Sequence, residues 1–109
     1  MNSTAIYAAD PGEAGMVECD TQTLADQIGH MNILAISGGR LLARPSGITL
    51  PVSSGYSVTV DLAAGDTYTV RRVFVRAGKR TVKGERAGVY CDQVGEMAYQ
   101  ASCYRNVEF

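Results

Sequence analysis

The residues with the clearest capacity for chemistry lie in one stretch, RRVFVRAGKRTVKGER, at positions 71–86. This stretch holds seven of the chain's ten lysine and arginine residues and a single acidic residue. Clustered cations bind the phosphates of a nucleic acid, and an aromatic ring among them can stack on a base. The residues that would form such a binding site are Arg71, Arg72, Phe74, Arg76, Lys79, Arg80, Lys83 and Arg86.

The same stretch also has a structural interpretation, as the solvated face of a β-hairpin. A turn centred on Gly78-Lys79 places Arg72 opposite Glu85, where the two form a cross-strand ion pair. Phe74 then continues the core-facing alternation of its strand and faces Tyr56 inside the core. The sequence favours this structural interpretation, because basic strands are common on small domains and the pI of about 5.7 is not basic.

No other residues show the spacing of a catalytic or metal site. The one histidine, His30, has no serine, cysteine or carboxylate motif beside it in the sequence. The three cysteines, Cys19, Cys91 and Cys103, contain no CxxC pair. Their odd number favours free thiols in a reducing compartment over a disulfide framework. The sequence therefore predicts a non-enzymatic protein with no catalytic residue, no metal site and no cofactor.

Charge is distributed unevenly along the chain. Residues 1–31 contain five acidic residues and no lysine or arginine, whereas residues 71–86 carry seven cations against Glu85. The net charge of the whole chain is only -1. Such a dipolar chain favours oriented association with a partner over general binding to polyanions.

The hydrophobic pattern predicts a helix, a run of strands and a final helix. TQTLADQIGH has a capping residue, a one-face apolar stripe and a terminal glycine, which together predict a short helix. NILAISGGRLLAR predicts two strands joined at Gly38-Gly39, and ITLPV predicts a short edge strand because Pro51 lacks a backbone donor. YSVTVDL and DTYTVRRVFVRA alternate as strands, joined by a turn with Gly65 in the left-handed conformation.

The C-terminal stretch GVYCDQVGEMAYQASCYRN predicts a helix with a single apolar stripe. Gly95 within it permits close approach to the sheet. The order of elements predicts an α+β domain with an antiparallel, meander-like sheet of about five to six strands. A short N-terminal helix and a C-terminal helix pack on that sheet. The residues of the stripe are Tyr90, Val94, Met97, Ala101 and Tyr104.

Domain organisation and location follow from composition. Residues 1–18 are rich in alanine, glycine and acids and predict a flexible acidic tail, and residues 19–109 predict one domain. The chain shows no signal-peptide pattern, and no stretch approaches the roughly 20 apolar residues of a membrane span. We therefore expect a cytoplasmic protein that does not interact with a membrane. The sequence leaves open whether the chain forms a homo-oligomer.

Three stretches resemble one family of small, uncharacterised accessory domains. QTLADQIGHMNILAISGGR resembles the family's helix, glycine and strand, and DTYTV and GVYCDQV resemble its strand and helix-start segments. The family occurs in bacteriophages, prophages and other mobile genetic elements. The resemblance spans residues 21–95, and the chain departs from the pattern at Arg71-Arg72-Val73 and at His30. The resemblance implies an accessory protein acting in the cytoplasm of a bacterial host, and it implies no catalytic residues.

Two functional hypotheses follow. The first is a phage or mobile-element accessory protein that binds a host macromolecule, most simply a host protein, and so interferes with host defence or takes over a host process. The second is a nucleic-acid-binding module that uses the basic hairpin of residues 71–86. The two hypotheses differ in salt dependence, because binding to phosphates weakens steeply as salt rises.

Overall fold

Five antiparallel strands form one sheet, and each strand pairs with the next along the chain. The computed structural model describes residues 16–103, 105 and 109. The strands are β1 (Leu42–Arg44), β2 (Gly47–Pro51), β3 (Tyr56–Leu62), β4 (Tyr68–Arg76) and β5 (Lys79–Val89). Two short helices, α1 (Thr21–Ile28) and α2 (His30–Ser37), precede the sheet, and α3 (Val94–Ser102) follows it. The predicted α+β class, the meander and the packed C-terminal helix are confirmed.

The hydrophobic core lies between the helices and one face of the sheet. The alternation of β4 points Tyr68, Val70 and Arg72 to this face. The Tyr68 hydroxyl donates to Gln27 Oε1 of α1 at 2.6 Å, which fixes α1 on this side. The core is mostly aliphatic, with the aromatic rings of Tyr68 and Phe109, and includes Leu24, Ile28, Ile33, Ile36, Ile48, Leu50, Val58, Val60, Val70, Val94, Ala98 and Ala101.

The opposite face of the sheet carries the alternate residues of the same strands. We call it the distal face; it includes Asp61 of β3 and Arg71, Val73 and Val75 of β4. Its buried side chains include the charged Asp61 and Arg71 beside the apolar Val73, whereas those under the helices are mostly aliphatic. The two faces therefore differ in chemistry, and neighbouring residues of one strand have different surroundings.

The two N-terminal helices correct one prediction. Asp20 caps α1, with its carboxylate accepting from Gln22 N–H, as the sequence predicts. Residues 30–37, however, form α2 rather than a strand, and Gly38 ends this helix in the left-handed conformation at φ 68°. The strand prediction for NILAI is wrong because a short apolar run suits a buried strand or a buried helix equally well.

Two further boundaries differ from those predicted. β2 is an internal strand between β1 and β3, and Pro51 fits because it lies beyond the residues that β1 pairs. The stretch predicted to begin the last helix instead extends β5 to Val89, which pairs with Tyr68. The helix starts only at Val94, so Tyr90 is exposed and lies outside it. Gly95 does allow a close contact, but with the Ile28 carbonyl of α1 rather than with the sheet.

The acidic tail predicted for residues 1–18 lies largely outside the described residues. Within the described part, Met16 forms an antiparallel bridge with Ala63, and Val17 N–H donates to the Leu62 carbonyl at 2.8 Å. The predicted helix-stripe residue Tyr104 also lies outside the described part. Among the helices of the described residues, none has the length and hydrophobicity needed to cross a membrane.

Candidate binding site

The basic stretch forms the hairpin of β4 and β5, as predicted, but with a different register. The two central residues of the turn are Ala77 and Gly78, both at positive φ (54° and 78°), and Arg76 pairs with Lys79. Positive φ at both positions suits the right-handed twist of a two-residue hairpin. Because the turn lies one residue earlier than predicted and a bulge follows, Glu85 pairs with Arg71 and not with Arg72.

Arg71 lies on the distal face in a buried ion network. Its Nε donates to Glu85 Oε1 at 2.8 Å, and its Nη1 lies 3.6 Å from Asp61 Oδ2. Asp61 is fully buried and also pairs with Arg44 Nη1 at 2.8 Å. The Ser46 hydroxyl donates to Asp61 Oδ1, the oxygen that pairs with Arg44, at 2.7 Å. Carboxylates already surround Arg71, so this cation stabilises the sheet and does not face a ligand.

Arg72 lies on the helical face and binds the end of α3. Its Nε donates to the Ala101 carbonyl at 2.8 Å, and its Nη2 donates to the Cys103 carbonyl at 3.0 Å. These are carbonyls that the end of a helix leaves without intrahelical donors. Burial lowers the pKa of Arg72, against smaller opposing effects of Tyr56 and Cys103. Arg72 therefore joins the last helix to the sheet.

The remaining predicted site residues lie around the tip of the hairpin and at Phe109. Arg76, Lys79 and Lys83 are exposed, and Arg80 is half-buried. Arg86 lies against the ring of Phe109, 5.3 Å from its centroid. The eight predicted residues therefore do not form one surface: the fold separates two buried arginines from a group of cations at the tip.

Phe74 is half-buried and has several neighbours. Its ring centroid lies 4.9 Å from that of Tyr56, and the ammonium group of Lys83 lies 5.7 Å from the Phe74 centroid. A Cβ atom at Gly55 would lie 3.0 Å from the edge of the same ring. The predicted contact between Phe74 and Tyr56 is present, but both residues are half-buried and lie outside the hydrophobic core. These neighbours leave little of the ring open to stack on a base.

A shallow groove of about 560 Å³ lies beside the hairpin tip on the distal face. It lies where the loop between β2 and β3 meets the end of β4, and Val75 N–H donates to the Gly55 carbonyl at 2.9 Å there. Leu42 and Val75 in its lining are 61% and 46% exposed. Among the described residues that line the groove, none is acidic. Its main lining residues are Arg40, Leu42, Pro51, Val52, Tyr56 and Val75.

Sequence reasoning missed this groove, because its lining combines residues from β1, the loop after β2 and the end of β4. The pairing of β1 with β2 brings Leu42 to the groove. Leu42 lies in the LLAR segment that the sequence predicts as a strand, but its exposure is visible only in the structure. An apolar residue exposed on a strand indicates a contact surface when other apolar residues lie beside it.

The other candidate chemical groups are dispersed. Within the described ranges, no cluster of three or more histidine, cysteine or carboxylate side chains could hold a metal ion. Cys91 and Cys103 are exposed free thiols, and Cys19 is a half-buried one. Burial raises the pKa of Cys19, with Asp20 and Asp61 adding to the effect, so its thiolate forms less readily. His30 is exposed at the start of α2.

Comparison with known proteins gives no assignment. No protein-family model matches the chain, and no curated protein and no solved structure matches it significantly.

Proposed function

We propose that the chain is a non-enzymatic binding module and that the groove beside the hairpin tip binds a protein segment. The observation that carries this proposal is the combination of exposed Leu42 and Val75 with surrounding cations. Apolar anchors in a concave surface supply most of the binding energy of a protein interface, while charged residues at the rim select the partner.

Charge indicates the kind of segment that fits. Arg40 lines the groove, and Arg80, which pairs with the groove residue Val75, lies on the same face of the hairpin. The two acidic side chains of the distal face network, Asp61 and Glu85, already pair with arginines. A partner segment with apolar side chains and flanking carboxylates therefore complements this surface.

The resemblance to phage and mobile-element accessory domains supports a setting for this binding. In that setting the protein acts in the cytoplasm of a bacterial host, and the segment belongs to a host protein whose activity it blocks or redirects. Arg71 and Arg72 serve the fold in this proposal, and Arg40 and Arg80 serve the interface. The groove adds Leu42 and Val75 to the residues predicted from the sequence.

Nucleic-acid binding is the second candidate function. It is favoured by Arg76, Lys79 and Lys83 near the Tyr56–Phe74 ring pair, since cations beside aromatic rings suit a single strand. It is weakened because Arg71 and Arg72 are buried and Phe74 is surrounded. The remaining cations form a smaller surface than the sequence predicts.

A pull-down from bacterial lysate separates the two functions. The tagged protein is incubated with and without nuclease, at low and at high salt. A discrete protein that stays bound under both treatments supports the groove, because contacts to apolar anchors depend weakly on salt. Nucleic acid that is retained at low salt and lost at high salt supports the second function instead.

Matched variants locate the interface. L42S and V75S together remove the apolar anchors of the groove, and we expect at least a tenfold loss of partner binding. Met31→Ser removes another exposed apolar side chain, 75% exposed on α2, and should leave binding unchanged. Equal binding by the groove variant and the wild-type protein would exclude the groove as the interface.

A further inference from the structure

Phe109 occupies a slot built by β4 and β5 on the helical face of the sheet. We call this the Phe109 slot and define it by Arg72, Gly84 and Arg86. The two guanidinium groups lie 5.2 Å and 5.3 Å from the centroid of the Phe109 ring. Arg86 Nη1 also donates to the main-chain oxygen of Phe109 at 3.0 Å. Phe109 is only 8% exposed, so the slot encloses it almost completely.

The strands fix the positions of the three residues that define the slot. Arg72 and Gly84 are direct neighbours across β4 and β5, and Arg86 pairs with Val70 one step along the same face. The absence of a side chain at Gly84 creates the space for the ring, because a Cβ atom there would lie 2.8 Å from Phe109 Cδ2. The carbonyls at the end of α3 hold the Arg72 guanidinium in place. Arg72 is therefore held in the slot by contacts that do not involve Phe109.

The contacts define a chemical class of ligand. Two guanidinium groups attract the π face of an aromatic ring, and an aliphatic side chain lacks that attraction. The Arg86 hydrogen bond adds recognition of a carbonyl or carboxylate oxygen close to the ring. An aromatic amino acid residue of a peptide presents both groups at this spacing.

We propose that the Phe109 slot is a binding site for an aromatic residue of a peptide, with Phe109 as its resident ligand. An aromatic residue from another chain competes with Phe109 for the ring position and for the Arg86 hydrogen bond. The slot lies on the helical face of the sheet and the groove on the distal face, so this site is independent of the proposed function.

The test measures binding of N-acetyl-phenylalaninamide to the full chain carrying Phe109→Ala, by changes in the Gly84 and Arg86 amide signals in NMR spectra. We expect saturable binding to this variant. The wild-type protein should bind roughly fivefold or more weakly, because Phe109 is held near the slot at high effective concentration. N-acetyl-leucinamide should bind about tenfold more weakly than the phenylalanine compound.

Second-site variants test the slot itself. R86A combined with F109A should abolish binding, and R76A combined with F109A should preserve it, because Arg76 belongs to the same hairpin but lies outside the slot. N-acetyl-phenylalanine, with its free carboxylate, provides a further arm. If this acid binds more tightly than the amide, the slot prefers an aromatic residue at the end of a chain. If the amide binds more tightly, the slot prefers an aromatic residue inside a chain.

The proposal is overturned if folded F109A shows no saturable binding, or if it binds no better than the wild-type protein. F109L covers the case in which F109A does not fold, because leucine retains apolar volume in the slot. The phenylalanine compound should then raise the Tm of F109L and shift the Gly84 signal. An unchanged Tm and an unchanged signal would reject the slot as a ligand site.

Discussion

Arg71 and Glu85 lie directly opposite each other on β4 and β5, and Arg71 Nε donates to Glu85 Oε1 at 2.8 Å. The sequence predicts this ion pair for Arg72. The alternation of β4 places Arg71 on the distal face and Arg72 on the helical face, so the shifted pairing gives Glu85 the distal-face Arg71 as its partner. The first two cations of the basic stretch therefore stabilise the two faces of the sheet, and the exposed cations of the stretch lie nearer the turn.

The buried carboxylate of Asp61 should be important for stability. Asp61 pairs with Arg44 at 2.8 Å and with Arg71 at 3.6 Å, and its side chain is 0% exposed. Asp61→Asn leaves both buried guanidinium groups without this negative charge, so we expect the free energy of unfolding to fall by about 3 kcal/mol. Urea denaturation measures the change.

Glu85→Gln is the matched control for Asp61→Asn. Glu85 pairs with the same Arg71, but its side chain is 49% exposed. An exposed ion pair contributes little, so the loss should be about 1 kcal/mol or less. Equal losses in the two variants would contradict the distinction between a buried and a peripheral carboxylate.

Arg72 should matter through its hydrogen bonds to α3. Arg72→Met retains the length of the side chain but leaves the carbonyls of Ala101 and Cys103 without this donor. We expect a loss of about 2–3 kcal/mol in the free energy of unfolding, since hydrogen bonds to charged groups are stronger than neutral ones. Arg76→Met, at the exposed end of the same strand, should change stability by about 0.5 kcal/mol or less. Thermal or urea unfolding of both variants checks the difference, and similar losses would argue against the role of Arg72.

Gly95→Ala should lower the stability of the protein, although helix propensity alone predicts that it would raise it. An exposed helix is more stable with alanine than with glycine at an interior position, by about 1 kcal/mol. A Cβ atom at Gly95 would collide with the Ile28 carbonyl and lie 2.6 Å from the Asn32 amide nitrogen. Gly95→Ala should therefore destabilise the protein by about 2 kcal/mol, as overpacked substitutions do.

Glu96→Ala serves as the neighbouring control for Gly95→Ala, because Glu96 is exposed in the same helix. Its effect on the urea midpoint should be small. A Gly95→Ala protein that is more stable than the wild-type protein would show that α1 and α3 do not approach closely.

The parts of the fold that the sequence predicts correctly depend on local patterns. Alternation in YSVTVDL gives β3, and the capping residue Asp20 gives the start of α1. The NILAI run lacked a decisive period, so α2 was missed. The turn of the β4–β5 hairpin was placed one residue late, because the single glycine at position 78 fits two adjacent two-residue turns.

The candidate sites depend more heavily on distant contacts. Exposure of the hairpin cations follows from the turn, but burial of Arg72 depends on the end of α3, about 30 residues away in the chain. The Phe109 slot requires Gly84 and Arg86 to meet a residue that has no local pattern around it. Local periodicity contains no information about such pairs, so only the folded structure identifies them.

The three thiols should differ in reactivity. Cys91 and Cys103 are exposed, whereas burial raises the pKa of the half-buried Cys19. Because the thiolate is the reactive form, we expect a maleimide reagent at neutral pH to modify Cys91 and Cys103 before Cys19. Mass spectrometry of peptides from a time course identifies the order. Denatured protein is the control and should show similar rates at all three positions. Modification of Cys19 first in the folded protein would contradict its placement.

Tyr68 should make the stability of the protein sensitive to alkaline pH. Burial raises the pKa of Tyr68 above its ordinary value of 10.0, and Cys19, Cys91 and Asp66 add to the effect. The folded state therefore retains the phenolic proton to higher pH than the unfolded state does. The contribution of the protonated Tyr68 phenol to the free energy of unfolding is complete below pH 10, and it is lost as the pH rises through the pKa that Tyr68 has in the folded state.

Tyr68→Phe isolates this contribution. At neutral pH the variant loses the hydrogen bond to Gln27 and should be less stable by about 1 kcal/mol. Above pH 10 its stability should fall less steeply than that of the wild-type protein, because phenylalanine has no proton to release. Urea unfolding between pH 7 and 11 measures both curves, and Tyr99→Phe, at a 42% exposed tyrosine of α3, is the control. Parallel curves for the wild-type protein and Tyr68→Phe would show that the phenol of Tyr68 titrates alike in the folded and unfolded states.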